Sequence, residues 1–252
     1  MESFSPEVLI PLFFIAGFAG CIDAMAGGGG LITVPALLAT GISPTQALAT
    51  NKLQSTGGSL TASLYFVRRG VVNLKEMGFA ILCTFVGSAL GTVLVQQVDA
   101  SLLSALIPIL LIGIAVYFLF SKNVGESEQK ITLHTFALTA GIAIGFYDGF
   151  FGPGTGSFFA IAFVTLMGFA LPKATAHTKI LNCTSNVASL LFFIFGGQVV
   201  WTLGFVMMAG QFIGARLGAS LVMTRGQQLI RPTIVVVSVL MSARLIWQSL
   251  VG

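Results

Sequence analysis

The sequence predicts an all-α, polytopic membrane protein built from two inverted repeats, each with five apolar segments and glycine-broken helices. Only 8% of the 252 residues are charged and 56% are hydrophobic, whereas soluble domains carry about 25% charged residues. Apolar stretches recur along the chain at about the 20-residue length that a helix needs to cross a bilayer. The chain also matches itself when it is shifted by 127 residues.

Charge and motif content exclude several function classes. The basic residues are scattered instead of forming a patch, so the net charge of +4 does not indicate nucleic-acid binding. The acidic N-terminal stretch "MESFSPEV" has the wrong charge for a secretory signal peptide, so we expect the first helix to be retained. No HExxH or other metal signature occurs, and we expect neither a metal nor another cofactor. We expect the protein to lie in the lipid bilayer.

The internal repeat is ungapped over residues 27–95. This stretch has 16 identities in 69 positions with residues 154–222, and Lys52 falls on Lys179. Such self-similarity indicates an internal duplication. Glycines provide much of the match, because Gly27, Gly29, Gly41, Gly70, Gly87 and Gly91 fall on Gly154, Gly156, Gly168, Gly197, Gly214 and Gly218.

Each half divides into five apolar segments, of which two are short or interrupted. We expect a first membrane repeat at residues 1–120, a cytoplasmic linker at 121–132 and a second membrane repeat at 133–252. The expected segments are 8–26, 31–40, 44–67, 76–97 and 101–120, and then 133–151, 157–169, 172–195, 202–223 and 232–250.

Loop charges differ between the two halves. The loop after the third segment carries Arg68, Arg69 and Lys75 in the first half and no basic residue in the second. After the fourth segment the second half is basic, whereas the first half has Asp99. Because positive loops face the cytoplasm, equivalent loops are expected on opposite sides and the halves are inverted. Both termini are then outside, whether the first two segments cross the bilayer or form a re-entrant hairpin.

Both halves interrupt a helix at the same place. Neither "DAMAGGGGL" (23–31) nor "FFGPGTGSF" (150–158) can continue a helix, because glycine is flexible and proline lacks a donor. In hydrocarbon such a break is tolerated only against protein or a wet cavity. The segments that follow, near Leu31 and Ser157, begin with free N–H groups that attract anions. The residues expected to bind an anion here are Gly28, Gly29, Gly30, Gly154, Thr155, Gly156 and Ser157.

Close helix packing is the alternative role for the glycines. It is the favoured interpretation for Gly87 with Gly91 and for Gly214 with Gly218, which have the small-xxx-small spacing of packed membrane helices. Four consecutive glycines exceed what packing requires, so the first break favours a binding role.

Lys52 and Lys179 lie eight to eleven residues into their segments, where an ionised group needs a partner or water. Inverted halves bring both lysines toward the pseudo-twofold axis, where they and the glycine breaks are expected to line one anion site. Alternatively, each lysine caps backbone carbonyls or pairs with Asp23 or Asp148, and the two interpretations are compatible. Both aspartates are candidates for carrying a coupling proton or for capping a helix. Further lining is expected from Asn51, Thr178 and Asn182, extended by Ser55, Ser185 and Asn186.

Two motifs carry a family resemblance. "IDAMAGGGGLITVPALLATGISPTQALATNKLQ" (22–54) and "GFYDGFFGPGTGSF" (145–158) resemble the sulfite exporter TauE/SafE family, the four-toluene sulfonate uptake permease group, and most closely its YfcA-like branch of bacterial inner-membrane proteins. The resemblance implies transport of sulfur-containing anions, with exporters and importers both in the family. The positions that match family motifs are Gly27 to Gly30, Asn51, Lys52, Asp148, Gly152 to Gly156 and Lys179.

The predicted function is therefore a secondary transporter. Inverted repeats with interrupted helices are typical of carriers that work by alternating access. The expected passenger is a small sulfur-containing anion, such as sulfite, thiosulfate or an organosulfonate, with a proton or another ion as a coupling partner. A passive anion channel is the main alternative. An intramembrane enzyme is a weaker one, because "GTGSFF" with His177 only loosely imitates a serine protease.

Overall fold

A computed structural model describes residues 4–120 and 128–225, and all the regular structure in these ranges is helical. The segment expected at 232–250 and residues 121–127 of the expected linker lie outside the described residues. The helices are α1 Pro6–Ala26, α2 Gly30–Leu38, α3 Pro44–Arg68, α4 Leu74–Val95, α5 Ala100–Phe120, α6 Leu133–Phe136, a π-helical turn Ala137–Gly141, α7 Ile142–Phe150, α8 Thr155–Met167, α9 Leu171–Phe195 and α10 Trp201–Arg225.

Local sequence signals set several helix starts. At α3, the Ser43 hydroxyl accepts the Gln46 N–H at 3.2 Å while the Gln46 side chain accepts the Ser43 N–H at 3.0 Å, which is a capping box. At α4, the Asn73 side chain accepts the N–H of Lys75 at 3.1 Å. Such caps satisfy donors that a helix start leaves without partners. The observed bounds accordingly lie within a few residues of the expected ones.

The first two segments of each half form a helical hairpin. Val8, near the start of α1, packs in one apolar cluster with Leu37, near the end of α2. In the second half, the ring of Phe136 in α6 stacks on that of Phe163 in α8 with centroids 4.3 Å apart. In each half, the second helix therefore folds back along the first toward the end where the first one began.

Several basic residues lie at one end of the helical bundle. An apolar cluster that includes Phe66, Phe136 and Phe163 packs the end of α3, the start of α6 and the end of α8 together. We call this end of the bundle the basic end, because the turns that adjoin these helix ends carry basic residues. The basic residues of these turns are Arg68, Arg69, Lys75, Lys130 and Lys173.

Glycines bring two helix pairs into close contact. A Cβ atom at Gly91 of α4 would lie 2.8 Å from the backbone nitrogen of Phe150 in α7, and one at Gly218 of α10 would lie 2.9 Å from the Cβ of Ala24 in α1. Gly87 and Gly214 make the equivalent approaches, so the packing interpretation of these four glycines is confirmed.

Four helices are long and apolar enough to cross a bilayer, namely α1, α4, α9 and α10 as far as Thr224. Helix α3 is equally long but carries a buried polar face that includes Asn51, Lys52 and Gln54. It packs against α9, where the Ser63 hydroxyl donates to the Lys179 carbonyl oxygen at 2.8 Å. The polar residues of α3 and α9 thus face the interior of the bundle.

Candidate anion-binding site

The two helix breaks enclose a small cavity together with α3 and α9. Its volume is about 20 Å³, which is room for one water molecule. Its wall combines both aspartates of the broken helices with glycine backbone and short polar side chains. The lining residues are Asp23, Gly27, Gly30, Asn51, Ser55, Asp148, Gly152, Gly154, Gly156, Asn182 and Asn186.

Each buried lysine pairs with an aspartate of the other half. Lys52 Nζ lies 2.9 Å from Asp148 Oδ1, and Lys179 Nζ lies 3.0 Å from Asp23 Oδ2. Both lysine side chains are only 1% exposed. Pairing with Asp23 and Asp148 was the alternative that the sequence left open, and the structure contains it in a reciprocal form. The lysines therefore reach the cavity through the aspartates that line it.

Asp23 is held by the start of the short helix α2. Its Oδ1 accepts the N–H of Gly29 at 3.3 Å, while its Oδ2 and its backbone oxygen both accept from Lys179. The sequence predicted that the N–H groups at this helix start are free to bind an anion. One of them, the N–H of Gly29, is instead already engaged by the Asp23 carboxylate, which occupies the position where a negative charge is most stable.

Asp148 is more buried and less completely bonded. Its side chain is 2% exposed, against 20% for Asp23. The angles at the Lys52 contact do not suit a hydrogen bond, and Asp148 Oδ2 has no hydrogen-bond partner among the described residues. A Cβ atom at Gly152 would lie 2.9 Å from Lys52 Nζ, so the missing side chain makes room for the ammonium. Lys52 and Asp148 are thus held together mainly by charge.

Amide groups on α3 and α9 are oriented by neighbouring side chains. Asn51 Oδ1 accepts from Thr33 Oγ1 at 2.6 Å and from Gln54 Nε2 at 2.7 Å. Asn182 Oδ1 accepts from Asn186 Nδ2 at 3.3 Å. Because these carbonyl oxygens are engaged, the amide N–H groups of both cavity-lining asparagines are left for the cavity. N–H donors near two ammonium groups are suited to binding an oxyanion.

Thr33 and Gln54 were not predicted from the sequence. Gln54 lies three residues after Asn51, a spacing at which helical side chains meet, so its role was detectable. Thr33 stands alone in the apolar stretch "LITVPALL". Its contact with α3 depends on how α2 docks, which the sequence does not show.

The two breaks also touch each other directly. Ser157 Oγ donates to the carbonyl oxygen of Ala26 at 2.5 Å. A Cβ atom at Gly156 would lie only 2.5 Å from the Cα of Gly27, so the two backbones meet where neither residue has a side chain. Tyr147 also donates its hydroxyl to the Pro153 carbonyl oxygen at 2.5 Å, which braces the second break. Backbone contact between the halves therefore forms one wall of the cavity.

Some of the predicted site residues do not line the cavity. Thr178 is the equivalent of Asn51 in the repeat, but its hydroxyl is attached to Cβ, nearer to the helix axis, and has no hydrogen-bond partner among the described residues. Thr155 donates to the Gly152 carbonyl oxygen at 2.7 Å. His177 bonds the Lys173 carbonyl oxygen at 2.8 Å and packs on aromatic rings. Gly28, Gly29, Lys52, Thr155, Ser157, Thr178 and Lys179 are absent from the wall, whereas Asp23, Gly30, Asn51, Asp148, Gly154, Gly156 and Asn182 are on it.

Comparison with known proteins identifies a family for this sequence. The model of the family "Sulfite exporter TauE/SafE" matches residues 12–245, which is most of the chain. The chain belongs to the TauE/SafE family. No solved structure matches this TauE/SafE protein. Within the described ranges, no group of three or more His, Cys, Asp or Glu side chains is placed to hold a metal ion.

Similar TauE/SafE proteins are named as membrane transporters. "Probable membrane transporter protein YfcA" of Escherichia coli K12 is 57% identical over 97% of this chain and 92% of its own length. A "Probable membrane transporter protein" of Haemophilus influenzae is 52% identical over 95% of both chains. "Probable membrane transporter protein ORF9" of Sinorhizobium is 48% identical over 98% of this chain and 95% of its own. The present protein is therefore a multi-pass membrane transporter and not an enzyme, consistent with the bacterial inner membrane.

Proposed function

We propose that this protein carries a small sulfur-containing anion, such as sulfite, thiosulfate or an organosulfonate, through the central cavity by alternating access. The observation that carries the proposal is the reciprocal pairing of two buried lysines with aspartates of opposite halves. An ammonium balanced by a protein carboxylate can exchange that partner for a substrate anion and keep its charge compensated. A lysine without either partner would be costly at this depth.

The size of the cavity supports a coupling between binding and conformational change. A volume of about 20 Å³ holds one water molecule, whereas sulfite has four non-hydrogen atoms. The anion therefore enters only if the ion pairs separate and the contact between the two breaks opens. A protein that must move to admit its substrate behaves as a carrier, because the same movement can open the site to one side at a time.

The inverted-repeat arrangement of residues 1–120 and 133–252 around a 121–132 linker is part of this proposal. Ser59 and Asn186, which are equivalent at the 127-residue offset, lie 3.5 Å apart. A contact between equivalent positions is expected on a pseudo-twofold axis. The reciprocal ion pairs, the two hairpins and the packing of α4 on α7 and of α10 on α1 support the same symmetry.

Within this site we assign each group a part in binding. Lys52 and Lys179 compensate the charge of the anion, and the amide N–H groups of Asn51 and Asn182 bind its oxygen atoms. When Asp23 leaves Gly29, the start of α2 offers a backbone N–H to the substrate. The remaining predicted residues, Gly28, Gly30, Gly154, Thr155, Gly156, Ser157 and Thr178, form the backbone and supporting layer of this site.

The proposal is tested by binding and exchange. In a thermal-shift screen of the detergent-solubilised protein, sulfite, thiosulfate and small organosulfonates are expected to raise the melting temperature, with acetate and phosphate as controls. In proteoliposomes, labelled substrate should show saturable counterflow. A flux that rises linearly with concentration would show a channel instead of a carrier. If none of the sulfur anions binds or exchanges, the assigned substrate class is wrong.

We also propose that Asp148, of the two coupling candidates Asp148 and Asp23, carries the coupling proton. Its unbonded Oδ2 can accept a proton without losing a hydrogen bond, whereas Asp23 is already bonded to Gly29 and Lys179. Lys52 faces Asp148 from α3, and Asp23 lies across the cavity. Removing the titratable group should uncouple transport from the proton gradient.

The coupling assignment predicts a specific difference between two variants. Asp148→Asn should abolish uptake driven by an imposed pH gradient while it retains substrate counterflow, because exchange needs no net proton movement. Asp23→Asn should keep its response to the gradient. Both activities are measured in the same proteoliposome preparation. A gradient response that survives in Asp148→Asn and disappears in Asp23→Asn would reverse the assignment.

A further inference from the structure

A second group of cations lies away from the central cavity, around the ring of Tyr65. Arg69 follows the end of α3, and its Cζ is 4.9 Å from the ring centroid. Arg216 lies on α10, and its Cζ is 4.6 Å from the same centroid. Two guanidinium groups thus share one aromatic ring. The ring attracts each cation, but it does not neutralise either charge.

The two guanidinium groups are exposed and have no carboxylate partner among the described residues. Among the described residues, neither Arg69 nor Arg216 lies within ion-pair distance of a carboxylate, and both ion pairs found there belong to the central cavity. Arg216 lies nine residues before the end of α10, which places it about 13 Å from that helix end. Both arginine side chains are exposed, so an anion can reach either guanidinium group from outside the bundle.

The Tyr65 hydroxyl provides a second and independent indication. The side chain is only 4% exposed, and its hydroxyl has no hydrogen-bond partner among the described residues. A buried hydroxyl without a partner costs free energy that a ligand oxygen would recover. Two guanidinium groups and one hydroxyl donor together suit a ligand with several negatively charged oxygen atoms.

The group exists at one end of the molecule only. At the 127-residue offset, Tyr65 corresponds to Phe192, position 69 to Gly196 and Arg216 to Ala89. Helix α4 meets α9 there, where the Gln96 side chain donates to the Phe192 carbonyl oxygen at 3.4 Å. The equivalent corner of the other half therefore offers no cation and no hydroxyl. The group of Arg69, Arg216 and Tyr65 lies at the basic end, which the positive-inside rule assigns to the cytoplasm.

Helix α3 connects this corner to the cavity. Ser55, Ser59 and Ser63 recur every four residues along α3, and side chains at this spacing lie on one face of a helix. Ser55 lines the cavity, and Ser63 lies on the same face of α3, one turn before its basic end, where its hydroxyl bonds the Lys179 carbonyl oxygen. A polar row therefore runs along α3 from the cavity to the basic end of the bundle.

We propose that Arg69, Arg216 and the Tyr65 hydroxyl form a capture site at which a small oxyanion binds from the basic end before it moves to the central cavity. The capture site rests on the proposed transport function and adds a preference for one side. It would raise the local concentration of the anion at the basic end, whereas the equivalent positions of the other half carry no cation. A phospholipid headgroup phosphate presents the same chemistry, so the experiment must separate the two sources.

The test compares Arg69→Gln and Arg216→Gln with Arg68→Gln, which removes the same charge from the neighbouring exposed residue that does not lie over the Tyr65 ring. Thiosulfate exchange is measured in everted and in right-side-out membrane vesicles. Both test variants should raise KM by about tenfold for thiosulfate offered to the basic end, with Vmax unchanged. KM from the opposite side and KM of Arg68→Gln should stay within twofold of wild type. Tyr65→Phe should raise KM on the same side only.

Unchanged KM in both arginine variants would overturn the capture site, as would an equal change from both sides or an equal change in Arg68→Gln. A second arm uses liposomes of phosphatidylcholine with and without phosphatidylglycerol. If the arginine variants differ from wild type only when phosphatidylglycerol is present, the ligand is a lipid phosphate and the capture role is wrong. Failure of the proposed function is distinguishable, because wild-type protein would then show no exchange in either vesicle type.

Discussion

Replacing Lys52 with Gln should abolish anion binding, and adding Asp148→Asn to the same chain should restore stability without restoring binding. In the single variant, the carboxylate of Asp148 stays buried with its cation removed. Breaking a buried pair in this way costs roughly 3–5 kcal/mol, whereas removing both charges of such a pair is close to neutral. Binding needs the ammonium itself, so neither variant should bind.

Two measurements separate the structural effect from the functional one. The melting temperature of the detergent-solubilised protein should fall clearly in Lys52→Gln and return toward wild type in the double variant. The affinity for sulfite or thiosulfate, measured by the ligand-induced thermal shift, should be lost in both. Lys75→Gln is the control, because it removes the same charge from an exposed position at the start of α4 and should change neither quantity.

Binding of the anion by the double variant with wild-type affinity would show that Lys52 does not contact the substrate. A stable single variant that fails to bind would support the site while showing that Asp148 is not held by its charge partner. The second pair should respond less strongly in stability, because Asp23 is 20% exposed and retains the Gly29 N–H when Lys179 is removed. Lys179→Gln is therefore expected to fold better than Lys52→Gln and to bind equally poorly.

The asymmetry between the two pairs has a structural cause. The tetraglycine of the first break leaves the N–H of Gly29 pointing at Asp23, so that carboxylate has a hydrogen bond as well as a cation. In the second break, Asp148 Oδ2 has no hydrogen-bond partner among the described residues. Asp148 consequently depends on Lys52 more strongly. The cavity thus has one carboxylate with a hydrogen bond from a helix start and one that depends mainly on its cation.

Features encoded locally were predictable from the sequence. The observed start of α3 at Pro44 and the break between α1 and α2 follow from a proline after a capping serine and from consecutive glycines, both of which act within a few residues. The depth of Lys52 and Lys179 followed from counting residues along apolar segments, and both proved to be buried. The free-energy cost of burying an unpaired charge required a partner for each lysine.

Features that depend on docking between the halves were not predictable. The sequence did not show which aspartate meets which lysine, because Lys52 and Asp148 are nearly one hundred residues apart. It also did not show that Asp23 occupies the start of α2, since that contact requires the hairpin to close. Thr178 was expected in the lining because it corresponds to Asn51, but the shorter side chain does not reach the wall. The repeat therefore predicts which positions are equivalent, whereas the length of each side chain determines whether it reaches the cavity.

Gly27→Ala should abolish transport and greatly reduce the yield of folded protein, whereas Gly41→Ala should lose only the stability that its backbone strain costs. Both glycines have positive φ angles, +81° and +86°, so alanine is penalised by about 1–2 kcal/mol at either position. Their surroundings differ. A Cβ atom at Gly41 meets nothing within 4 Å, while one at Gly27 would overlap the backbone of Gly156 and Ser157. The difference between the variants therefore reports the contact between the two breaks.

A third variant keeps this prediction informative if Gly27→Ala does not fold. Gly156 has an ordinary φ angle, and its Cβ would lie 2.5 Å from the Cα of Gly27, far inside the 3.5–4.0 Å of a normal carbon contact. Gly156→Ala should therefore lose counterflow through steric overlap without backbone strain. Size-exclusion yield, melting temperature and counterflow are compared for the three variants. If Gly27→Ala and Gly156→Ala match Gly41→Ala in all three, the breaks do not touch and the cavity between them is wrongly placed.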